Sequence, residues 1–167
     1  MGRARDTASD VGLALAAELL EAGREVVLRA RGASMAPLIR DGDVLTLARC
    51  VRAPRPGDLV AANSCGRLLV HRVVRARAGR LLLRGDALWQ PDGWFACQYL
   101  GHQSIAPAAG GAQIIGRVVA VERGGRPLGA WRAGGPSARG WLWMTPLVRA
   151  LRGAARRVRA RLAPRLA

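Results

Sequence analysis

Lysine is absent from this 167-residue chain, and all 27 of its basic side chains are arginine. Any mechanism that takes a lysine amine as base or nucleophile is therefore excluded within the chain. Histidine occurs only as His71 and His102. Cysteine occurs as Cys50, Cys65 and Cys97, an odd number with no C-x-x-C spacing. Neither a disulfide scaffold nor a zinc site is indicated, and no metal or other cofactor is expected. No apolar run approaches the ~20 residues of a membrane span. The N-terminal stretch Val11–Leu20 is broken by Glu18 and fails as a signal peptide as well, so a cytoplasmic location is the default expectation. Acidic residues are missing after Glu122, whereas 11 of the arginines lie beyond it.

Half of the residues are hydrophobic, which excludes a collagen-like, coiled-coil or fully disordered chain and suits one compact domain with appendages. A net charge of +16 ordinarily points to a polyanionic partner. Here the abundance of Ala, Gly, Pro and Arg, with Arg replacing every Lys, also reads as the mark of a GC-rich coding sequence. The excess belongs to the tail rather than to the domain.

Ser9 as N-cap, Val11, Leu15, Leu19 and Leu20 as an apolar face, and Gly23 as a stop predict a short core-packing helix. Between Glu25 and Arg123 short apolar runs divided by Gly, Pro and Asp predict strands at Glu25–Ala30, Val44–Ala48, Leu59–Asn63, Leu68–Arg75, Arg80–Leu83 and Ile114–Val121. The class is mainly β. Three Gly-Asp pairs, Gly42-Asp43, Gly57-Asp58 and Gly85-Asp86, read as tight turns in which glycine takes positive φ. Pro91–Gln113 has no clear period and is expected to be an inserted loop bordering a site. The expected organisation is an N-terminal helix at 1–24, a β domain at 25–125, a Gly-rich linker at 126–140 and a helical tail at 141–167. In that tail Thr145 caps a helix with Leu147, Leu151, Val158 and Leu162 on one face and Arg149, Arg152, Arg156 and Arg159 beside it. Such a basic amphipathic helix suits an anionic membrane surface, or equally a helix docked on its own domain. Nucleic acid ranks behind both, because no nucleic-acid-binding motif accompanies the charge.

The sharpest local sequence is Gly32-Ala33-Ser34-Met35-Ala36-Pro37, directly after a predicted strand. A serine there can be presented outward where backbone amides converge, but it needs an adjacent base. His71 lies on a predicted strand with Leu69 and Val73 on its face. His102 lies in the irregular loop and is the weaker candidate. Asp86 and Asp92 offer carboxylates to orient an imidazole, although both equally suit turns.

The succession of these blocks with Pro56-Gly57-Asp58-Leu59-Val60, Val70-His71-Arg72-Val73-Val74 and Ile115-Gly116-Arg117-Val118-Val119 resembles signal peptidase I and its S24/S26 serine-peptidase relatives. The resemblance spans roughly Glu25–Arg123. It implies a signal peptidase/LexA-like β fold in which Ser34 attacks a peptide carbonyl. The Val-His-Arg-Val context looks like the family's histidine branch, making His71 the base, assisted by Asp86 and Asp92, with Asp86 the preferred of the two. It further implies a peptide or precursor-protein substrate with small apolar residues before the cleaved bond, met by Gly32, Met35 and Pro37 around the nucleophile. Many relatives carry a hydroxyl two residues before the nucleophile, where this chain has Gly32. The family's membrane anchor is also missing, and residues 141–167 are the candidate substitute. The competing reading is a catalytically degenerate module of the same fold that binds peptide or an anionic membrane surface. LexA-like self-cleavage at Ala22-Gly23 ranks last, since no helix-turn-helix precedes it.

Overall fold

The computed structural model describes residues 7–97 and 112–129. One helix, α1 (Thr7–Glu21), leads into strands β1 (Val26–Arg29), β2 (Val44–Ala48), β3 (Leu59–Ser64), β4 (Arg67–Arg77), β5 (Arg80–Arg84), β6 (Gly93–Cys97), β7 (Gln113–Arg123) and β8 (Arg126–Pro127). The protein is mainly β. The strands follow the order β1-β2-β7-β3-β4-β5-β6, and β6 pairs back onto β7 in parallel, so β7, β3, β4, β5 and β6 close a small barrel. The other pairings are antiparallel.

Strand β3 explains the presence of two cores. Its Leu59-Val60-Ala61-Ala62 run is fully buried, as a strand covered on both faces must be apolar throughout. Val60 and Ala62 pack inside the barrel with Val73, Leu83 and Phe95, while Leu59 and Ala61 pack outside it with Leu20, Leu45, Leu47, Val118 and Val121. The partner strand β7 serves both layers through a bulge. Ala61 pairs with Gly116 and Ala62 with Ile114, which leaves Ile115 as an extra residue. Ile114 therefore faces the barrel, and Gly116 and Val118 face the outer core.

Helix α1 ends as its glycine foretells. Gly23 has φ +77°, its N–H donates to the Leu20 carbonyl at 3.0 Å, and the Arg24 N–H reaches the Leu19 carbonyl at 2.9 Å, a Schellman cap. Two other expectations for this helix are corrected. It begins at Thr7, so Ser9 lies inside it rather than at its cap. Its buried face is Leu13, Ala16 and Leu20, while Leu15 and Leu19 are exposed. Gly116 makes the seat for Leu20: a Cβ there would stand 3.0 Å from a Leu20 methyl and 3.0 Å from the Ala48 carbonyl oxygen.

The predicted strands all form, within two residues of their expected ends. The unperiodic stretch after Pro91 is not wholly loop, because it contains β6 and the barrel residue Phe95. Nor does the sheet stop at residue 125: β8 pairs with β7, and Leu128 packs against the outer core. His102 and the tail at 141–167 lie outside the described residues. Among the described residues no helix is long and apolar enough to cross a membrane.

Candidate active site

The connection from β1 to β2 carries Ser34, and several independent ties hold it in shape. Ala30 and Gly42 close its neck, with the Ala30 N–H on the Asp43 carbonyl at 2.7 Å and the Gly42 N–H on the Ala30 carbonyl at 2.9 Å. Met35, Leu38 and Ile39 turn inward and anchor the loop in the outer core. Asp43 is buried and accepts two hydrogen bonds from Arg123, at 2.8 and 2.7 Å, and one from the Arg40 N–H at 2.8 Å. Arg123 also donates to the Leu38 carbonyl at 3.0 Å, so one guanidinium joins the end of β7 to the Ser34 loop. The hydrogen bonds from Arg123 hold the Asp43 carboxyl below its usual pKa against the opposing effect of burial.

His71 comes from β4 at the point where that strand changes partner. Residues Arg67–Arg72 pair with β3 and Arg72–Arg77 with β5. The imidazole is buried and bonded on both sides: Nε2 lies 2.9 Å from Ser34 Oγ, and Nδ1 lies 2.5 Å from Asp92 Oδ2. Asp92 precedes β6, and its N–H donates to the Leu83 carbonyl at 2.9 Å, so barrel closure delivers this carboxylate. Serine, histidine and aspartate from three separate parts of the chain thus form one continuous hydrogen-bonded line.

Asp86 is not in that line. Its carboxylate receives Nε and Nη2 of Arg72 at 2.8 Å each, and Arg72 Nη1 donates to the Gly57 carbonyl at 2.7 Å. Arg72 is 1 % exposed, so this is a buried, bidentate pair that offsets the loss of hydration on both groups. The geometry therefore gives Asp92, rather than the preferred Asp86, to the His71 ring. The reading of Gly85 is corrected too. Gly42 and Gly57 adopt positive φ, but Gly85 does not. What Gly85 supplies is closeness, since a Cβ at this position would lie 2.7 Å from the Ser34 carbonyl oxygen. The same carbonyl accepts the Ala87 N–H at 2.7 Å, and the Asp86 N–H points to Met35 Sδ at 3.4 Å. The Gly85-Asp86-Ala87 strap supports Ser34 from behind.

A cleft of about 320 Å³ opens in front of Ser34 and His71. Leu28, Ala30, Met35, Ile39, Leu45 and Leu69 contribute its apolar lining, Gly32 borders it, and Arg29 and Arg31 are the charged groups that line it. Of the three residues expected to meet substrate, Gly32 and Met35 line the cleft and Pro37 does not. The Leu28, Leu45 and Leu69 lining escaped the sequence reading because it comes from three separate strands, β1, β2 and β4. An apolar residue on a strand carries no signal of which face will border a groove. The Gly32 N–H is engaged by Asp41 Oδ1 at 2.8 Å. Among the described residues no cluster of His, Cys, Asp and Glu is arranged to hold a metal ion.

The family model described as Peptidase S24-like matches residues 3–88, more than half of the chain, covering Ser34 and His71 and stopping short of Asp92. No curated protein is matched by the chain.

Proposed function

The chain belongs to the Peptidase S24-like family, and from that premise we propose that it is a serine endopeptidase of the signal-peptidase type, in the histidine branch, with Ser34 as nucleophile, His71 as base and Asp92 as the group that orients the base. The observation that carries this reading is the line Ser34 Oγ–His71 Nε2–His71 Nδ1–Asp92 at 2.9 and 2.5 Å, set beside an open apolar cleft. Lysine-dependent variants of the chemistry have no residue to work with.

In this mechanism the Asp92 carboxylate accepts Nδ1–H and so leaves Nε2 as the acceptor facing the serine hydroxyl. As Ser34 Oγ attacks the substrate carbonyl, Nε2 takes its proton and then delivers it to the leaving amine, giving an acyl-enzyme that water hydrolyses by the same route. Such acid–base assistance contributes ~10²–10⁴-fold. The Ser34 N–H is the proposed first donor to the oxyanion. With the Gly32 N–H occupied by Asp41 and no hydroxyl on residue 32, the second donor comes from elsewhere. The substrate is a precursor protein or peptide, and the mixed Leu, Ile, Ala and Met lining supports a small apolar side chain before the cleaved bond. Attachment to an anionic membrane surface through residues 141–167 belongs to the same proposal, and loss of vesicle binding on their removal is its test.

The deciding experiment is mass-spectrometric analysis of peptides with alanine-rich junctions incubated with the parent chain, Ser34→Ala and His71→Ala. Cleavage lost in both folded variants is the expected result. A folded parent that binds these peptides and cleaves none of them would replace the enzyme with the degenerate peptide-binding module.

A further inference from the structure

The barrel interior holds two reactive groups for which the peptidase chemistry has no use. Cys50, in the connection after β2, and Cys97, the last residue of β6, are free, buried thiols in one apolar cluster with Val60, Leu83 and Phe95. Far apart in sequence, they are brought to one edge of β7, where β2 ends with Ala48 against Arg117 and β6 ends with Cys97 against Ile114. The neighbouring Cys97 thiol lowers the pKa of Cys50, against burial and with help from the Arg117 charge, while the proximity of Cys50 and burial raise that of Cys97. Arg117 sits opposite Val60 on the barrel side of β7, and its buried Nε has no hydrogen-bond partner among the described residues. A thiolate on the pair would give this cationic side chain a counter-charge.

The pair also has an entrance. A second cavity of about 210 Å³, separate from the cleft at Ser34, is lined by Ala53, Pro54, Arg77, Gly79, Arg80 and Cys97. Cys97 is buried and lines this cavity, which has room for an oxidant of a few atoms. We propose that Cys50 and Cys97 form a redox dithiol site that hydrogen peroxide, entering through this cavity, converts to an intramolecular disulfide.

The chemistry closes without a further reagent. The Cys97 thiol, which lines the cavity, gives up its proton as the peroxide engages it. The Cys97 sulfur attacks the peroxide O–O bond, keeps one hydroxyl as a sulfenic acid and releases hydroxide, which takes up a proton to become water. The Cys50 sulfur, giving up its own proton, then displaces the hydroxyl as a second water, and the S–S bond forms. The two thiols are oxidised by two electrons and the peroxide is reduced to two waters. Cys50 lies between strands, where the chain can yield as the sulfurs close to ~2.05 Å. The product ties the β2–β3 connection to β6, the strand that starts directly after Asp92.

The test is independent of peptidase activity. The folded full-length chain and its Cys65→Ser variant are titrated with hydrogen peroxide, quenched, alkylated after unfolding and mapped by mass spectrometry. The expected result is joint loss of the Cys50 and Cys97 thiols, a peptide linking the two, recovery with a thiol reductant, and a higher Tm for the oxidised protein, because the cross-link constrains the unfolded chain. In Cys50→Ser, Cys97 should instead be captured by dimedone as sulfenic acid. Cys50 and Cys97 that stay alkylatable at a peroxide dose oxidising Cys65 of the parent chain would overturn the proposal. So would loss of one thiol while the other remains free.

Discussion

Replacing Gly85 by alanine adds one methyl group behind Ser34, and its effect follows from the contacts that methyl would make. The new Cβ would start 2.7 Å from the Ser34 carbonyl oxygen and 2.9 Å from a Leu88 methyl carbon. Leu88 can rotate, but the carbonyl is backbone and is held by the Ala87 N–H at 2.7 Å. An ordinary C···O contact begins at ~3.3 Å, so strap and Ser34 loop must part by about 0.6 Å. That separation carries the Ala87–Ser34 hydrogen bond to the edge of the useful range, at a cost of about 1 kcal/mol. Inserting a methyl into a packed contact costs about 1–3 kcal/mol more. We expect Gly85→Ala to lose about 2–4 kcal/mol in urea unfolding followed by far-UV circular dichroism. Gly12→Ala serves as the control, since Gly12 lies in α1 with nothing within 4 Å of its added Cβ, and alanine there should stabilise. If Gly85→Ala unfolds within ~0.5 kcal/mol of the parent, the strap is not rigidly seated on Ser34 and the reasoning fails.

Other expectations follow from the same geometry. Asp86→Ala strands a buried guanidinium and should cost about 3–5 kcal/mol in chemical denaturation, whereas an effect under ~1 kcal/mol would mean that Arg72 finds another partner. Asp92→Asn should leave stability nearly unchanged while lowering the rate of peptide cleavage by about 10²–10⁴-fold, and full activity in this variant would remove Asp92 from the mechanism. Leu20→Ala should destabilise by about 2–5 kcal/mol and Leu15→Ala by no more than ~0.5 kcal/mol, which denaturant titration of the pair checks directly. The Asp43 carboxyl is depressed in the folded state by Arg123, so the unfolded chain takes up its proton first as pH falls. The stability from this pair is present above the unfolded aspartate pKa and lost as pH drops through the lower folded value, so Asp43→Asn should flatten the acid limb of a Tm-against-pH curve.

Much of the molecule was legible in the linear sequence, for reasons that are local. Strand positions follow from apolar runs bounded by turn residues, and β3 could be found because a strand buried on both faces leaves an uninterrupted signal in Leu59-Val60-Ala61-Ala62. Gly23 announces the end of α1, since few other residues accept φ +77° there. Ser34 and His71 could be singled out because the absence of lysine leaves few bases for a serine nucleophile and the motif blocks mark both residues. The buried face of α1 was not legible: Leu13, Leu15, Leu19 and Leu20 are all apolar, and only the seat left open at Gly116 decides that Leu20 goes in and Leu15 stays out.

What tertiary structure alone decided is which distant groups meet. Asp86 and Asp92 are equivalent as sequence, both acids in turn-like settings. Burial of Arg72 claims the first, because an unpaired guanidinium in the core is costly, and closure of the barrel through β6 brings the second to His71. Cys50 and Cys97 likewise carry no spacing signal and become a pair only when β6 folds back onto β7. Sequence patterns encode local conformation and burial, whereas pairings across the barrel depend on strand order, on bulges such as that at Ile115, and on the directions these impose on side chains.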